Sequence, residues 1–258
     1  MVLDIYKVEI DQWMQKQNAN LGNNFIDLFP KELHHLILQY CEYEVVANNT
    51  NFYGYKLYGQ KEGKWIFFDV NGQIRRECIY KDNLKEGLSI SYWKYEPYQV
   101  LKRRISYTKD IKHGTMTEWH WNSNKAKECE FINGEYEGKY LTWYEDSALH
   151  TECNYTNGKK DGVEYEWHGM DAPMQQTIFI NDLRQGKFIS WHDNGNVNVQ
   201  GIYIDDKKQG QWTTNYKYGS IKNQGEFLND KKYRKWTWRD PRGNIYSEVL
   251  YDENGNEL

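Results

Sequence analysis

Glycine and aromatic residues recur along this chain with a period of 24 residues, from about residue 63 to the last residue. Each repeat opens on a glycine, and every interval between these glycines is 24 residues except the second, which is 27. The glycines are Gly63, Gly87, Gly114, Gly138, Gly162, Gly186 and Gly210, and Arg234 stands at the eighth position. An aromatic residue stands seven positions before each following repeat, at Tyr80, Tyr107, Phe131, Tyr155, Phe179, Tyr203 and Phe227, and Tyr251 has the same phase. This regularity is typical of a repeat protein, and repeat arrays usually act as binding surfaces.

Each repeat has the pattern of a β-hairpin. In the repeat that opens at Gly138, residues 139–144 and 149–155 have strand character, and residues 145–148 have the character of a turn. Asn157-Gly158 then turns the chain towards the next repeat, and Asn-Gly between two β-prone segments is the strongest local signal for a hairpin. Turn pairs of the same kind recur at Asn71-Gly72, Asn133-Gly134, Asn194-Gly195, Tyr218-Gly219 and Arg242-Gly243. The chain therefore predicts a long antiparallel meander.

The positions of the rings predict how the strands pair. With a two-residue turn in each hairpin, Gly138 faces Tyr155 and Gly186 faces Tyr203, and a ring over a cross-strand glycine fills the missing side-chain volume. The opposite face carries another ring five residues after the glycine, in six repeats. These rings are Phe68, Tyr92, Trp119, Trp143, Trp167 and Trp191, and polar Asn215 and Arg239 hold the position in the last two repeats, as in a terminal cap.

We therefore predict a mostly β fold, an elongated single-layer antiparallel meander of about eight two-stranded 24-residue hairpins, preceded by a small α-helical N-terminal segment. The helix is predicted because apolar residues at positions 33, 36, 37, 40 and 41 have the spacing of one helical face, and Pro30 suits its first turn. The predicted domains are a helical N-terminal cap over residues 1–50 and the hairpin array over residues 51–258.

The repeat resembles the variant MORN repeat, the type found in bacterial antitoxin-like proteins. The shared order is glycine, aromatic residue, Asn-Gly, aromatic residue and a second Asn-Gly, and the resemblance covers about residues 53–258. It implies a β-hairpin array that binds other proteins. Lipid binding, which is ascribed to some conventional MORN proteins, is not expected, because their Gly-x-Gly core and paired Tyr-x-Gly fit this chain less well.

The segment 28–41 resembles the opening helix of an F-box, a module that docks on the Skp-family linker of cullin ubiquitin ligases. The resemblance rests on Leu28-Phe29-Pro30-Lys31-Glu32-Leu33 and on Ile37-Leu38, and it implies the docking residues Pro30, Glu32, Leu33, Ile37 and Leu38. The residues leave a second interpretation open, in which this helix only caps the first end of the array. An F-box-like segment joined to a variant MORN array is similar to a combination found in large DNA viruses of amoebae.

Composition narrows the class of partner. The formal net charge of −4 gives no general attraction to nucleic acid or to anionic lipid. No apolar segment approaches the roughly 18 to 20 residues that a membrane span needs, and the N-terminus lacks the pattern of a signal peptide. We therefore expect an intracellular, cytoplasmic protein (host cytoplasm or virion if viral) that binds no nucleic acid and has no membrane span.

The sequence carries no pattern for catalysis, metal binding or a cofactor. Cys78, Cys129 and Cys153 all lie fifteen residues after their glycine. Equivalent positions of neighbouring hairpins are two strand spacings apart, roughly 9 to 10 Å, whereas a disulfide needs Cα atoms within about 7 Å. His120, His168 and His192 share one phase, so the same spacing argues against one zinc ion. Nucleophile, phosphate-binding and dinucleotide motifs are absent from the chain. We predict no enzyme, no metal and no cofactor.

The sequence thus favours a non-enzymatic protein–protein interaction protein. The predicted partner-binding residues are the rings Trp119, Trp143, Trp167 and Trp191 with the polar rim His120, His168 and His192. In the sharper form of this hypothesis, the chain is a substrate adaptor of a cullin-type ubiquitin ligase. Two alternatives are a structural subunit of a larger, for example viral, assembly and an antitoxin-like binder that neutralises a toxin.

Overall fold

The structure is a computed structural model, and it describes residues 43–48, 52–94, 99–169 and 172–258. The chain divides into two compact units, Met1–Ile111 and Lys112–Leu258, which we call the N-terminal and the C-terminal unit. In both units each strand pairs antiparallel with the strand that follows it, so the described residues form an antiparallel meander. Successive β-hairpins of 24 residues leave the chain no other local pairing partner.

The N-terminal unit holds six strands. They are β1 (Tyr43–Asn48), β2 (Phe52–Leu57), β3 (Gln60–Phe68), β4 (Ile74–Lys81), β5 (Leu84–Trp93) and β6 (Val100–Thr108).

The C-terminal unit holds the other strands, the first of which begins at the last residue of the N-terminal unit. They are β7 (Ile111–Trp119), β8 (Lys125–Ile132), β9 (Glu135–Trp143), β10 (Leu149–Thr156), β11 (Lys159–Lys160), β12 (Gly162–His168), β13 (Ala172–Ile180), β14 (Leu183–Arg184), β15 (Gly186–Trp191), β16 (Val197–Ile204), β17 (Lys207–Asn215), β18 (Ile221–Leu228), β19 (Lys231–Arg239) and β20 (Ile245–Tyr251).

The predicted fold class was wrong in its helical part. The residues that the structure describes are all β, and β1 lies in the segment that was assigned to the helical cap. Two residues of connection before β2 suffice for a hairpin there, so this hairpin precedes the first repeat glycine, and twenty strands replace the sixteen of eight hairpins. The predicted helix over residues 28–41 lies outside the described residues. The mostly β antiparallel meander itself is confirmed.

Two kinds of turn alternate. Between repeats, both central residues are left-handed, as in Asn229 (φ 52°) and Asp230 (φ 68°), which is the type I′ turn that suits a two-residue hairpin. Within a repeat the loop is longer: the amide of Asp69 donates to the Gln73 carbonyl at 2.8 Å, and only Gly72 is left-handed, with φ 79°. The expected two-residue turn within repeats is therefore replaced by a longer loop, which adds a residue to one strand.

A β-bulge beside each of these loops absorbs the extra residue. Trp143 pairs with Leu149, whereas its neighbour Thr142 pairs with Thr151. The predicted register is restored beyond the bulge, and the predicted pairs Gly138–Tyr155 and Gly186–Tyr203 are confirmed.

The repeat glycines have a second role that pairing alone does not show. Each lies at a left-handed position, for example Gly63 with φ 61° and Gly210 with φ 63°, and Arg234 adopts φ 59° at the eighth position. The register on the other side of the strand shifts here: Ile202 pairs with Gln209, whereas Gln200 pairs with Thr213. A bulge with a left-handed residue favours glycine, so the period of the glycines marks one bulge in every repeat.

Neighbouring turns between repeats are hydrogen-bonded to each other. The amide of Asp230 donates to the Lys208 carbonyl at 3.1 Å, and the amide of Lys208 donates to the Asp230 carboxylate at 2.8 Å. The same reciprocal pair joins Lys61 to Asn83 and Arg184 to Asp206. These bonds satisfy main-chain groups at the turns and fix each hairpin against the next.

One face of the meander holds the buried side chains, which we call the core row. Its members lie two and fifteen residues after each glycine and pair across the hairpin. Buried members are Trp65, Cys78, Ser89, Ile105, Met116, Cys129, Cys153, Glu164, Thr177, Trp212 and Trp236. The ring that pairs with the glycine packs beside them: Trp212 lies 5.1 Å from Tyr203 and 5.9 Å from Phe227, centroid to centroid, edge to face.

Side-chain size alternates along the core row. A Cβ atom added at Gly225 would lie 2.3 Å from the Trp236 indole, and one at Gly201 would lie 2.1 Å from Trp212. Where the small residue has a side chain, the large one is smaller, as in the pair Cys129–Tyr140. Each indole therefore lies directly on the main chain of the preceding strand.

We expect the exchange Arg234→Gly to stabilise the last repeat. The left-handed conformation of a non-glycine residue costs about 1 to 2 kcal/mol, and the Arg234 side chain makes only an exposed ion pair with Glu226, at 3.2 Å. Gly210→Ala, with no atom near the added Cβ, is the mirror experiment and should lower the midpoint of urea unfolding. Arg234→Ala removes the ion pair but keeps the strain; a midpoint for Arg234→Gly below that of Arg234→Ala would contradict this assignment.

Gly225→Ala should strongly destabilise the C-terminal unit, because overpacking costs about 1 to 3 kcal/mol and here the obstacle is a buried indole. Trp236→Phe in the same chain should recover part of this loss, since a single ring leaves room for a Cβ. The measurement is a double-mutant cycle on the free energy of unfolding, with Gly169→Ala, where the added Cβ meets no atom within 4 Å, as control. Strictly additive effects would refute size complementarity.

Candidate interaction surface

The four predicted tryptophans lie on the face opposite the core row, at the ends of β7, β9, β12 and β15, and we call them the tryptophan row. All four are half-buried. Each lies at the β-bulge beside its loop, and three of them pair with an apolar residue: Leu149 with Trp143, Pro173 with Trp167 and Val197 with Trp191. The structure therefore places these rings in equivalent positions on successive hairpins of one compact unit, where neighbouring rings are roughly 9 to 10 Å apart by strand spacing.

The apolar partners of the tryptophan row were missed by the sequence reasoning. Their signal was present, because an apolar residue stands eleven positions after the glycine in most repeats, at Ile74, Leu149, Pro173, Val197, Ile221 and Ile245. Each ring leans on this side chain, and the exposed part of the ring is thereby held in one orientation.

The predicted polar rim is bonded to the main chain. Nε2 of His120 lies 2.9 Å from the carbonyl of Trp143, and Nε2 of His192 lies 3.1 Å from the carbonyl of Asn215. A carbonyl only accepts, so Nε2 donates in both bonds. Tyrosines hold the same position in the alternate repeats, where the hydroxyl of Tyr144 donates to the Trp167 carbonyl at 2.8 Å. His168 follows Trp167 in the same phase and is half-buried.

These bonds connect every second hairpin end to the next one and position the tryptophan row. Other side chains add polar contacts around it: Lys125 Nζ lies 5.0 Å from the centroid of the Trp143 ring. Trp121, which is 52% exposed, donates from its indole to Glu145 at 3.3 Å. The result is a surface of half-buried rings with a hydrogen-bonded rim.

A second apolar surface on the same face was also missed, and we call it the aliphatic patch. It consists of Ile180, Leu183, Ile202 and Ile204, each 44 to 49% exposed. Ile180 pairs with Leu183 across the turn, and Ile202 pairs with Lys187 on the next strand. Ile202 and Ile204 flank the buried Tyr203, which points to the core row. Alternation of apolar residues on both faces of β16 was the available signal.

The core-row face carries a regular row of cations over its rings. Each cation lies two residues before the glycine, and seven of the eight repeats have Lys or Arg there. The distances to ring centroids are 4.9 Å for Lys61–Tyr80, 4.8 Å for Lys85–Tyr107, 4.7 Å for Lys112–Phe131, 5.0 Å for Lys160–Phe179, 4.1 Å for Arg184–Tyr203, 5.1 Å for Lys208–Phe227 and 5.1 Å for Lys232–Tyr251. Cations over ring faces are attracted by the ring quadrupole, so these charges cover the core.

The cysteines of the core row are not poised for chemistry. Tyr140 pairs with Cys129 on one side and Cys153 on the other, so a whole strand separates the two thiols, in agreement with the predicted spacing. Burial raises the pKa of the Cys129 thiol to about 11, and burial together with the Glu164 carboxylate raises the pKa of the Cys153 thiol to about 12. Both stay protonated near neutral pH and are therefore poor nucleophiles.

Glu164 is the one carboxylate of the core row, with 4% exposure. It forms an ion pair with Lys160, whose ammonium group also lies over the Phe179 ring. Within the described ranges, Cys78, Cys129 and Cys153 are free, and no group of three or more His, Cys, Asp and Glu side chains is placed to hold a metal ion. No helix among the residues described is long and apolar enough to cross a membrane.

Comparison with protein families identifies the repeat. The model of the MORN repeat variant matches residues 61–82 and 184–205. Both segments begin two residues before a repeat glycine, at Lys61 and Arg184, and both end in the turn between repeats. The match therefore has the phase of the bulges and rings described above. A comparison with curated protein sequences finds no match.

Comparison with solved structures finds only distant likeness. A crystal structure of TarM is 8% identical over 68% of this chain and 26% of that chain, with a TM-score of 0.21. Alternansucrase ASR in complex with isomaltononaose is 11% identical over 83% of this chain and 16% of that one, with a TM-score of 0.20. The TcdB2-TccC3-Cdc42 structure is 12% identical over 81% and 16%, with a TM-score of 0.18. The chain thus spans about a quarter or less of these proteins, and such scores carry no argument.

The buried thiols should make the C-terminal unit less stable at alkaline pH. An unfolded thiol has a pKa of about 8.5, whereas Cys129 and Cys153 retain their protons to about 11 and about 12 in the native state. Above about pH 8.5 the native state binds more protons than the unfolded chain, so the free energy of unfolding falls as pH rises, by about 1.4 kcal/mol per pH unit for each thiol.

Urea unfolding between pH 7 and pH 10 measures this slope. The double variant Cys129→Ala with Cys153→Ala should flatten it, and both native thiols should resist iodoacetamide at pH 8 until the chain unfolds. Rapid native alkylation, or a slope that the double variant leaves unchanged, would contradict the assignment.

Proposed function

We propose that this chain is a non-enzymatic protein–protein interaction protein, and that the tryptophan row with its rim is the contact surface. The observation that carries the proposal is the half-burial of Trp119, Trp143, Trp167 and Trp191 on the face that the core row does not use. Tryptophan dominates binding hot spots, and rings of a repeat array lie at a regular spacing that suits an extended partner. The match to the MORN repeat variant supports a binding role for the array.

The contacts of the row also favour tight binding. Each ring has an apolar partner across the hairpin, and the rim bonds of His120 and His192 fix the adjoining main chain. A surface that is already ordered loses less conformational entropy when a partner binds. The aliphatic patch extends the apolar area on the same face, and exposed contiguous apolar area usually marks a contact site.

The finer form of the proposal is an adaptor role. The F-box-like segment would dock on the Skp-family linker of a cullin ubiquitin ligase through Pro30, Glu32, Leu33, Ile37 and Leu38, while the array binds the target. These five residues lie outside the described residues, and the resemblance of the segment is the support. An intracellular location belongs to the same proposal.

The test compares two double variants of the full chain as baits in lysate of the source cells. Trp143→Ala with Trp167→Ala should lose the retained protein while the thermal midpoint changes little, because half-buried rings contribute less to folding than to contact. Phe131→Ala with Tyr155→Ala is the matched control, and it should unfold the array first, because truncating a buried aromatic side chain costs about 3 to 5 kcal/mol. Phe131 is 2% exposed.

A folded tryptophan double variant that retains every partner would refute the contact surface. A third bait, Leu33→Ala with Ile37→Ala, separates the adaptor role from the array. It should lose the Skp-family linker and keep the target. If the unaltered chain retains its target but no Skp-family linker, the adaptor role is wrong and the interaction role stands.

A further inference from the structure

A groove of about 490 Å³ opens on the face of the tryptophan row near the end of the C-terminal unit. It lies where Arg239 holds the position that the tryptophans hold in earlier repeats, and Arg239 pairs with Ile245 as Trp191 pairs with Val197. Its lining includes Gln211, Gln224, Glu226, Lys235, Arg239 and Glu248. The groove therefore continues the tryptophan row with a different chemistry, because an arginine replaces an indole.

Most charges of the groove are paired. Lys235 Nζ lies 2.7 Å from the Glu248 carboxylate, and Arg234 Nη1 lies 3.2 Å from the Glu226 carboxylate. The hydroxyl of Thr237 also donates to Glu248, at 3.4 Å. With three cations and two carboxylates in the lining, the groove has one positive charge in excess.

That excess charge is on Arg239. Its Nη1 is buried, and no described residue supplies an acceptor within hydrogen-bonding distance. The main-chain carbonyl of the same residue is taken by the Tyr216 hydroxyl at 2.8 Å. A guanidinium is always protonated and carries five donors, so an unpaired buried nitrogen is unfavourable, and native structures normally satisfy such groups. The exposed amides of Gln211 and Gln224 line the same groove.

We propose that this groove binds one carboxylate of a partner peptide, with Arg239 as the residue that pairs with it. The net excess of one positive charge matches a monoanion, whereas a phosphate dianion would meet Glu226 and Glu248 without full compensation. The planar guanidinium suits a carboxylate by two parallel hydrogen bonds, and the glutamine amides can donate to the same oxygens. The inference rests on the proposed function, since the carboxylate belongs to a protein partner lying along the tryptophan row.

The experiment uses the full chain, labelled with ¹⁵N, and small probes in place of the partner. The Nε–Hε resonance of Arg239, assigned by its loss in Arg239→Gln, is followed during titration with acetyl-Ala-Glu-Ala-amide. It should shift in a saturable manner, and the matched acetyl-Ala-Gln-Ala-amide should leave it unchanged. Acetyl-Ala-Ala-Ala with a free terminal carboxylate is the second arm. Tighter binding of this peptide places the carboxylate at a chain terminus, and tighter binding of the first places it on a side chain.

Variants distinguish a built site from general attraction between charges. Arg239→Gln should weaken binding of the preferred peptide at least tenfold, Arg239→Lys should weaken it less, and Arg242→Gln, an exposed arginine in the next turn, should leave it unchanged. Arg239→Trp restores the residue of earlier repeats and should abolish binding. Thermal unfolding of each variant confirms that it is folded.

No saturable difference between the Glu and Gln peptides would overturn the proposal, as would an equal loss in Arg242→Gln or tighter binding of inorganic phosphate. Because the probes need no natural partner, the result is independent of the pull-down. Retention of all partners by the folded tryptophan double variant would refute the proposed contact surface and leave the carboxylate site standing. Failure of the titration would do the reverse.

Discussion

The contact between a large side chain and a very small one on the neighbouring strand is the constraint on which the rest of this structure depends. Gly225 beneath Trp236 and Gly201 beneath Trp212 bring an indole directly onto the main chain, at distances that would be 2.3 Å and 2.1 Å from an added Cβ. Antiparallel hairpins with 24-residue repeats provide only one face for burial if the other face is to stay accessible. Rings over glycines give close packing on that single face, because they remove the gap that two medium side chains would leave.

The same constraint explains why the two faces differ. Since the core row supplies the buried area, the rings of the tryptophan row need not be fully covered, and they are half-buried. Cations two residues before each glycine then cover the rings of the core side, as Arg184 covers Tyr203 at 4.1 Å. Hydrogen bonds between neighbouring hairpins, at the turns and at the His120 and His192 rim, hold the register along the array. Stability and accessibility are thus divided between opposite faces of one sheet.

Departures from the repeat pattern mark the places with distinct chemistry. Glu164 brings a carboxylate into the core row and takes Lys160 as its counter-ion, which leaves the nearby Cys153 thiol protonated. Arg234 keeps the left-handed bulge without glycine, and Arg239 replaces an indole and keeps a buried nitrogen without an acceptor among the described residues. Each departure has a physical consequence because the surrounding repeats fix the backbone around it.

The sequence by itself determined the period, the hairpin order and the pairing of Gly186 with Tyr203. These are local properties: a left-handed position favours glycine, a two-residue turn favours Asn and Gly or Asp, and one hairpin must follow another. The cysteine spacing followed from the same geometry, and Tyr140 between Cys129 and Cys153 agrees with it. Sequence reasoning also placed the tryptophans of the row at equivalent positions.

Only the tertiary structure decided which tryptophans are buried. Trp65, Trp212 and Trp236 belong to the core, because Gly54, Gly201 and Gly225 lie on the preceding strand beside them, whereas the tryptophan row meets side chains and stays half-buried. No single hairpin contains this information, since it depends on a residue one strand away in the preceding repeat. The strand β1 in the segment assigned to a helix, and the unpaired nitrogen of Arg239, depend likewise on contacts between strands and not on local propensity.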